Sequence, residues 1–353
     1  MIQRSNVLGI ARALLMCLAF SLSICAQHDT KAPPKETLRA QADPKLPDYK
    51  PAAQISGTLN SVGADTMETL MKYWIELFTK THPGTKIEME AKASGTAAPA
   101  LTAGTSQLGP VAREMLPNEI APFEQKYGYK PFAIRVAGGS YRTPGKTHAI
   151  CFYVNKDNPI DKLSYSQLDA IFSTTHRRGH EDITTWGQLG LTGEWSDKKI
   201  SLWGLIRPNG IANFVQERVL LNGEYKSGIN ERTTVGSLPA LDAIVQGVAA
   251  DRYAIGYAGF SNAIPGVKQV ALAEKDNGPY FKGTFDEVVS QKYPLSRFIY
   301  IYMNRPPDKP LDPLVKEFLN MVLSKEGEEA VVREGIFLPL PAEILIKERG
   351  KLN

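Results

Sequence analysis

The chain has 353 residues, 43% hydrophobic and 22% charged, the balance of a soluble globular protein rather than a disordered or membrane-embedded one. That length exceeds what one hydrophobic core usually serves, so two lobes are expected. Its 41 Lys and Arg stand against 37 Asp and Glu with no basic run, which argues against nucleic acid or a membrane surface as partner.

Residues 1–26 read as a signal peptide: Arg4 and Arg12 charge the start, and the apolar run 13–26 is too short for a bilayer, which needs about 20 residues. Cleavage after Ala26 is expected, although Ile24 is bulky for its place; lipidation at Cys25 is the rival, and Ile24 is again too bulky for it. Cys17 and Cys25 fall in this segment, which leaves Cys151 as the one thiol beyond it. No structural disulfide is then expected, and the run AICFYV around Cys151 reads as buried and inert. Residues 27–53 are rich in Pro, Lys and Ala without apolar period and read as a disordered tether.

From Ile55 short β-like runs alternate with amphipathic helices, an α/β pattern. A strand over 55–62 leads through Gly63 to a helix on which Met67, Leu70, Met71, Trp74, Leu77 and Phe78 recur at helical spacing; Asp65 and Glu68 make a capping-box-like start. A strand at 86–91, a short helix from Thr96, a strand at 107–111, a helix at 118–127 and a strand at 131–137 follow. Residues 138–148 read as a loop. The run 149–155 is a strand, as is 200–204; helices are expected at 209–221 and 239–250, strands at 254–260 and 267–273, and one long strand at 293–304. Helices at 313–323 and 325–334 close the pattern, the last stopped by Gly335.

Three turns between strand and helix are rich in small polar residues: GADT at 63–66, ASGT at 93–96 and RPNG at 207–210. One such turn is what any helix cap supplies. Three in successive α/β units point to one ligand, because backbone N–H groups at helix starts hold anions and ligands of open sheets gather at the carboxyl ends of strands.

The stretches NSVGADTMETLMKYWIELF, KIEMEAKASGTAAPAL, QLDAIFS with ITTWGQLGLTGEW, the run 202–226, DRYAIGYAGF, YPLSRFIYIYMN and EFLNMVLSKEGEEAVVREG resemble the phosphate-binding protein family of phosphate ABC transporters. The resemblance covers nearly everything from Ile55 to the C-terminus. It implies a two-lobed α/β fold of the type II periplasmic binding protein kind, with hinge strands and a central ligand cleft. Lobe 1 would comprise 54–137 and 291–353, and lobe 2 would comprise 138–290. It further implies inorganic phosphate or a related oxyanion as ligand, ABC permease subunits as partners, a monomer, no cofactor and no enzymatic activity. Carried over by position, Thr66 and Met67 match the family's first contact turn, and Ser94, Gly95 and Thr96 match the second. In the third, Ala112 replaces an acidic or hydroxyl residue and Arg113 is kept. In the fourth, Leu205, Asn209 and Ile211 fall where the family carries Arg, Ser and Thr, while Gly210 remains and Arg207 is displaced by two places. Weaker phosphate binding and poor discrimination against sulfate are therefore expected.

Other readings are weaker. GGSYRTPGKT lacks P-loop spacing and precedes a strand pattern rather than a helix. The resemblance makes it a local insertion near the hinge, in which Tyr141, Arg142, Lys146 and His148 either contact ligand or form a solvated surface loop; the latter is the favoured expectation. HRRGH places His176 and His180 four apart, but Gly179 opposes a helix and no third ligand is evident. No G-x-S-x-G elbow is present. Trp74, Trp186, Trp195 and Trp203 are expected to pack.

Overall fold

The computed structural model describes residues 39–51 and 54–353; the signal peptide and the Cys25 lipidation site lie outside them. In chain order the regular elements are β1 (Gly57–Ala64), α1 (Glu68–Thr81), β2 (Thr85–Lys92), α2 (Ala97–Ala103), β3 (Gly109–Val111), α3 (Pro117–Tyr127), β4 (Phe132–Ser140), β5 (Ile150–Asn155), β6 (Lys162–Ser164) and α4 (Tyr165–Phe172). They continue with β7 (Ser201–Leu205), α5 (Gly210–Arg218), β8 (Asn230–Arg232), α6 (Ala240–Ala250), β9 (Ala254–Gly259), β10 (Val267–Gln269), β11 (Ala271–Ala273) and α7 (Phe285–Val289). Last come β12 (Phe298–Met303), α8 (Pro313–Val322), α9 (Lys325–Glu334), β13 (Phe337–Leu338) and α10 (Ala342–Gly350).

The first sheet runs β13-β4-β12-β3, all antiparallel, and the parallel pair β1-β2 joins its edge where Ser61 bridges Leu108. The second sheet is mixed, ordered β10-β5-β9-β7-β8. Each has its own core. On one side Trp74 and Phe78 of α1 meet Ile134, Ile299 and Phe318; on the other Phe152, Phe172, Trp186, Phe214 and Tyr257 pack together. Trp74, Trp186 and Trp195 are buried, and Trp203 is partly buried against the second core, as the sequence suggests. Two segments cross between the cores side by side, tied where the Gly139 N–H donates to the Arg297 carbonyl at 2.7 Å and the Ile150 N–H to the Leu295 carbonyl at 3.3 Å.

Three expectations need correction. Residues 39–51 are not a free tether: Leu46 is buried, the Tyr49 hydroxyl donates to Glu317 Oε1 at 2.6 Å, and the Ala342 N–H donates to Asp43 Oδ2 at 3.1 Å. Two apolar anchors in a Pro-rich stretch are too few to make a period, so pattern reading misses them. The long strand expected at 293–304 is regular only over Phe298–Met303, because Pro294 lacks a ladder N–H and the preceding residues form the crossing segment. Asp65 and Glu68 do not form a capping box: Asp65 Oδ1 accepts from the Thr66 N–H at 2.8 Å and opens a 3-10 turn ahead of α1.

Candidate anion-binding cleft

The GADT turn becomes the 3-10 turn Asp65–Met67 at the carboxyl end of β1. Thr66 Oγ1 is buried and has no hydrogen-bond partner among the described residues, so its hydroxyl is free for a ligand. Its carbonyl accepts from Lys146 Nζ at 2.9 Å. Met67 is fully buried in the first core, which leaves only its backbone for contact. Gly63 lets the two strands meet: a Cβ there would fall 2.1 Å from the Pro110 carbonyl oxygen.

The ASGT turn forms a second 3-10 turn, Ser94–Thr96, at the end of β2. Ser94 Oγ accepts from the Ala112 N–H at 3.2 Å and keeps its own proton to donate. Thr96 closes its own turn by donating from Oγ1 to the Ala93 carbonyl at 2.8 Å. Gly95 faces the third contact segment, since a Cβ on it would come 3.1 Å from Glu119 Oε1.

Arg113 is held at both ends. Its guanidinium makes a forked pair with Glu119 at 2.7 and 2.6 Å, and also donates to the Glu114 carbonyl at 2.9 Å. Burial would raise the Glu119 carboxyl, but the bonds from Arg113 and the Leu116 N–H outweigh it and hold the group below its ordinary range. The Arg113 stem lies against the start of α5: a Cβ added to Gly210 would meet Arg113 Cδ at 3.0 Å. Arg113 of the first sheet's side and Gly210 of the second are thereby brought together.

The fourth turn is occupied by its own chain. Asn209 caps α5, its Oδ1 accepting from the Ile211 and Ala212 N–H groups at 2.8 and 3.4 Å. Leu205 is buried, Ile211 packs on the second core, and Arg207 pairs with Glu231 at 2.6 Å while stacking over Tyr225. Arg207 therefore does not stand in for the arginine that Leu205 replaces.

Two groups that pattern reading undervalued complete the cleft. Arg297, in the crossing segment, is 5% exposed, lies 3.7 Å from Glu114 Oε2 and sits over the Phe214 ring of α5, with its Nε unpartnered among the described residues. Nothing in the run SRFIYIYMN marks that arginine as buried. The second is the 138–148 segment, which is solvated only at its tip, residues 142–145, while 138–140 end β4. Thr147 and His148 are buried, Tyr141 packs on Phe260 and Phe285, and Thr147 Oγ1 donates to the Ala112 carbonyl. Both His148 nitrogens lack partners among the described residues, and burial together with the Arg297 charge pushes the imidazole down to about 4. It is thus neutral at physiological pH, with one nitrogen free to accept. Away from the cleft, His176 sits near Asp182 at 3.1 Å in the HRRGH turn, and His180 Nδ1 meets the Glu181 carbonyl.

Hydroxyls from the strand-end turns, two arginines and a lysine thus lie in neighbouring segments, a donor set suited to an oxyanion. Residues 49–326 match the family described as the PBP superfamily domain. Over 315 residues the chain is 42% identical to the phosphate-binding protein PstS of Pseudomonas aeruginosa, covering 88% of this chain and 93% of that protein. The chain belongs to the phosphate-binding protein family. A more distant relative, the phosphate-binding protein PstS of Bacillus subtilis, is 25% identical over 81% of each chain. The crystal structure of PstS from Borrelia burgdorferi aligns with a TM-score of 0.51 at 18% identity, covering 81% of this chain and all of that one, a likeness of fold. Family membership and fold agree with the two larger sheets, each with its own core, seen here.

Proposed function

We propose that this chain is an exported solute-binding protein that captures phosphate, or an oxyanion of the same shape, between its two lobes and delivers it to the permease of an ABC transporter. The observation that carries this reading is the approach of Arg113 to the Gly210 start of α5, with Ser94 bonded to the adjacent Ala112 N–H and the Thr66 hydroxyl unpartnered among the described residues, in a chain 42% identical to a protein named for phosphate binding. Thr66 and Ser94 donate hydroxyl hydrogens, Arg113, Arg297 and Lys146 supply charge, and closure of the lobes about the 138–148 and 291–297 crossings excludes water. No bond is made or broken in the ligand. The protein acts as a monomer, the lobes dividing at 54–137 with 291–353 and at 138–290. No helix among the described residues is long and apolar enough to cross a membrane.

Arg113 must share its charge with Glu119, and Leu205 and Ile211 give no donors, so the ligand is held by fewer groups than a fully coordinated dianion demands. Each missing partner costs about 1–3 kcal/mol. Isothermal titration of ligand-stripped protein with phosphate and with sulfate tests the reading. Binding of phosphate that weakens at least about tenfold in Arg113→Ala is the expected result. Absence of binding to either anion at millimolar concentration would remove the oxyanion assignment. A second reading, a relative that has turned to another anion, rests on the Asn209 cap and the apolar Leu205 and Ile211; saturable binding of an anion other than phosphate or sulfate, tighter than either, would favour it.

Export is checked separately. Mass spectrometry of the native protein is expected to find an N-terminus at Gln27, or a diacylated Cys25; an intact Met1 in the mature pool contradicts it.

A further inference from the structure

One cavity lined from both cores lies apart from the anion cleft. It has a volume of about 450 Å³ and opens beside the second crossing segment, between β4 and β12 of the first sheet and the end of α5 in the second lobe. Its charged lining is Arg135, Arg218, Lys275 and Lys292 against the single carboxylate Glu274. Arg218 lies 3.2 Å from Glu274, and Arg135 stacks over the Phe298 ring with Glu348 3.9 Å away. The ammonium groups of Lys275 and Lys292 make no ion pair or hydrogen bond with any described residue.

Gln291 forms part of the wall, its amide packed beside Gly138. It lines the same cavity in a left-handed backbone conformation, φ 57°, and both its carboxamide oxygen and nitrogen are buried without a hydrogen bond among the described residues. Phe281, Phe298 and Tyr293 supply apolar wall.

We propose that this cavity is a second ligand site, for a small organic molecule carrying two or more anionic groups. A volume of about 450 Å³ lies in the range of small-molecule pockets, roughly 300–1,000 Å³. One tetrahedral inorganic anion would leave most of it empty, given about 30 Å³ for each water. The cations stand on four separate segments, and a ligand with several carboxylates matches that spread where a point charge does not. The helix α5 begins at the anion cleft with Gly210 and ends at this cavity with Arg218, so the two sites stand at opposite ends of one element.

Citrate is the probe. Titration of the unaltered protein with citrate in phosphate-free buffer is expected to show one saturable site, and the Lys275→Ala/Lys292→Ala variant is expected to lose about 100-fold in affinity. Both lysines are exposed, so the variant folds, which its melting temperature and circular dichroism verify. Arg113→Ala, which alters the cleft, leaves citrate binding unchanged. Equal citrate affinity in the lysine variant, or loss of it in Arg113→Ala, overturns the second site. Displacement of citrate by equimolar inorganic phosphate overturns the organic polyanion as its ligand.

Discussion

Arg297→Met is expected to lower the unfolding free energy by about 3 kcal/mol and to weaken anion binding at the same time. The guanidinium is 5% exposed and is held 3.7 Å from Glu114 Oε2 with the Phe214 ring 4.9 Å from its centre. Burial depresses its proton affinity and the nearby Glu114 charge restores part of it. Methionine refills much of the volume, so the loss comes from stranding Glu114 rather than from a void. Glu114 keeps one donor, the Tyr300 hydroxyl at 2.9 Å, which places the cost at the lower end of the range for breaking a buried pair. Removing the carboxylate as well, in Arg297→Met/Glu114→Gln, is expected to recover most of the stability but not the anion binding. Urea denaturation and phosphate titration of both variants provide the check. A single variant within about 1 kcal/mol of the unaltered protein, binding phosphate as before, would refute the role given to Arg297.

The elements were legible because their patterns are local. Helical spacing of Leu70, Met71, Trp74 and Phe78 is visible in the chain, and those residues are buried as the period demands. The turns at 63–66 and 93–96 announce themselves through small polar residues, and the structure places Thr66 and Ser94 at strand ends as that chemistry suggests. Asn209 was legible as a polar residue before a helix, but whether its oxygen serves a ligand or its own helix depends on side-chain rotation, and it caps the helix. What stayed hidden depends on contacts between distant segments. Gly139 in the 138–148 run looks like loop composition, yet a Cβ there would fall 2.1 Å from the Thr147 carbonyl oxygen, so the glycine permits a close backbone approach in a buried crossing. Arg297 reads as one charge in an aromatic strand, and only the crossing at Gly139 reveals why it is enclosed. The pairing of Arg113 with Glu119 is six residues apart across a strand-to-helix turn, a separation no helical or strand period predicts.

His148→Gln is expected to make the protein less sensitive to acid, with the difference between the two forms growing by about 3 kcal/mol as pH falls from 7 to about 4. In the folded state burial, and next the Arg297 charge, lower the imidazole from its ordinary 6.5 to about 4. The unfolded chain therefore takes up a proton at His148 that the folded one refuses throughout that window. Uptake by the unfolded state alone means that stability declines as pH drops through 6.5 and levels off below about 4, where both states are protonated. Glu328 acts in the opposite sense: it is fully buried, and burial raises its carboxyl well above the ordinary range, so it favours the folded state at lower pH. Glu328 is common to both proteins, and taking the difference between them cancels it. Thermal or urea unfolding of the pair at intervals from pH 7 to pH 4 measures the effect. Parallel stability curves would mean that His148 titrates alike in both states and is not enclosed beside Arg297. In Arg297→Met the midpoint of the His148 contribution should move up toward 6.5, since one of the two causes that lower it is gone while the burial remains.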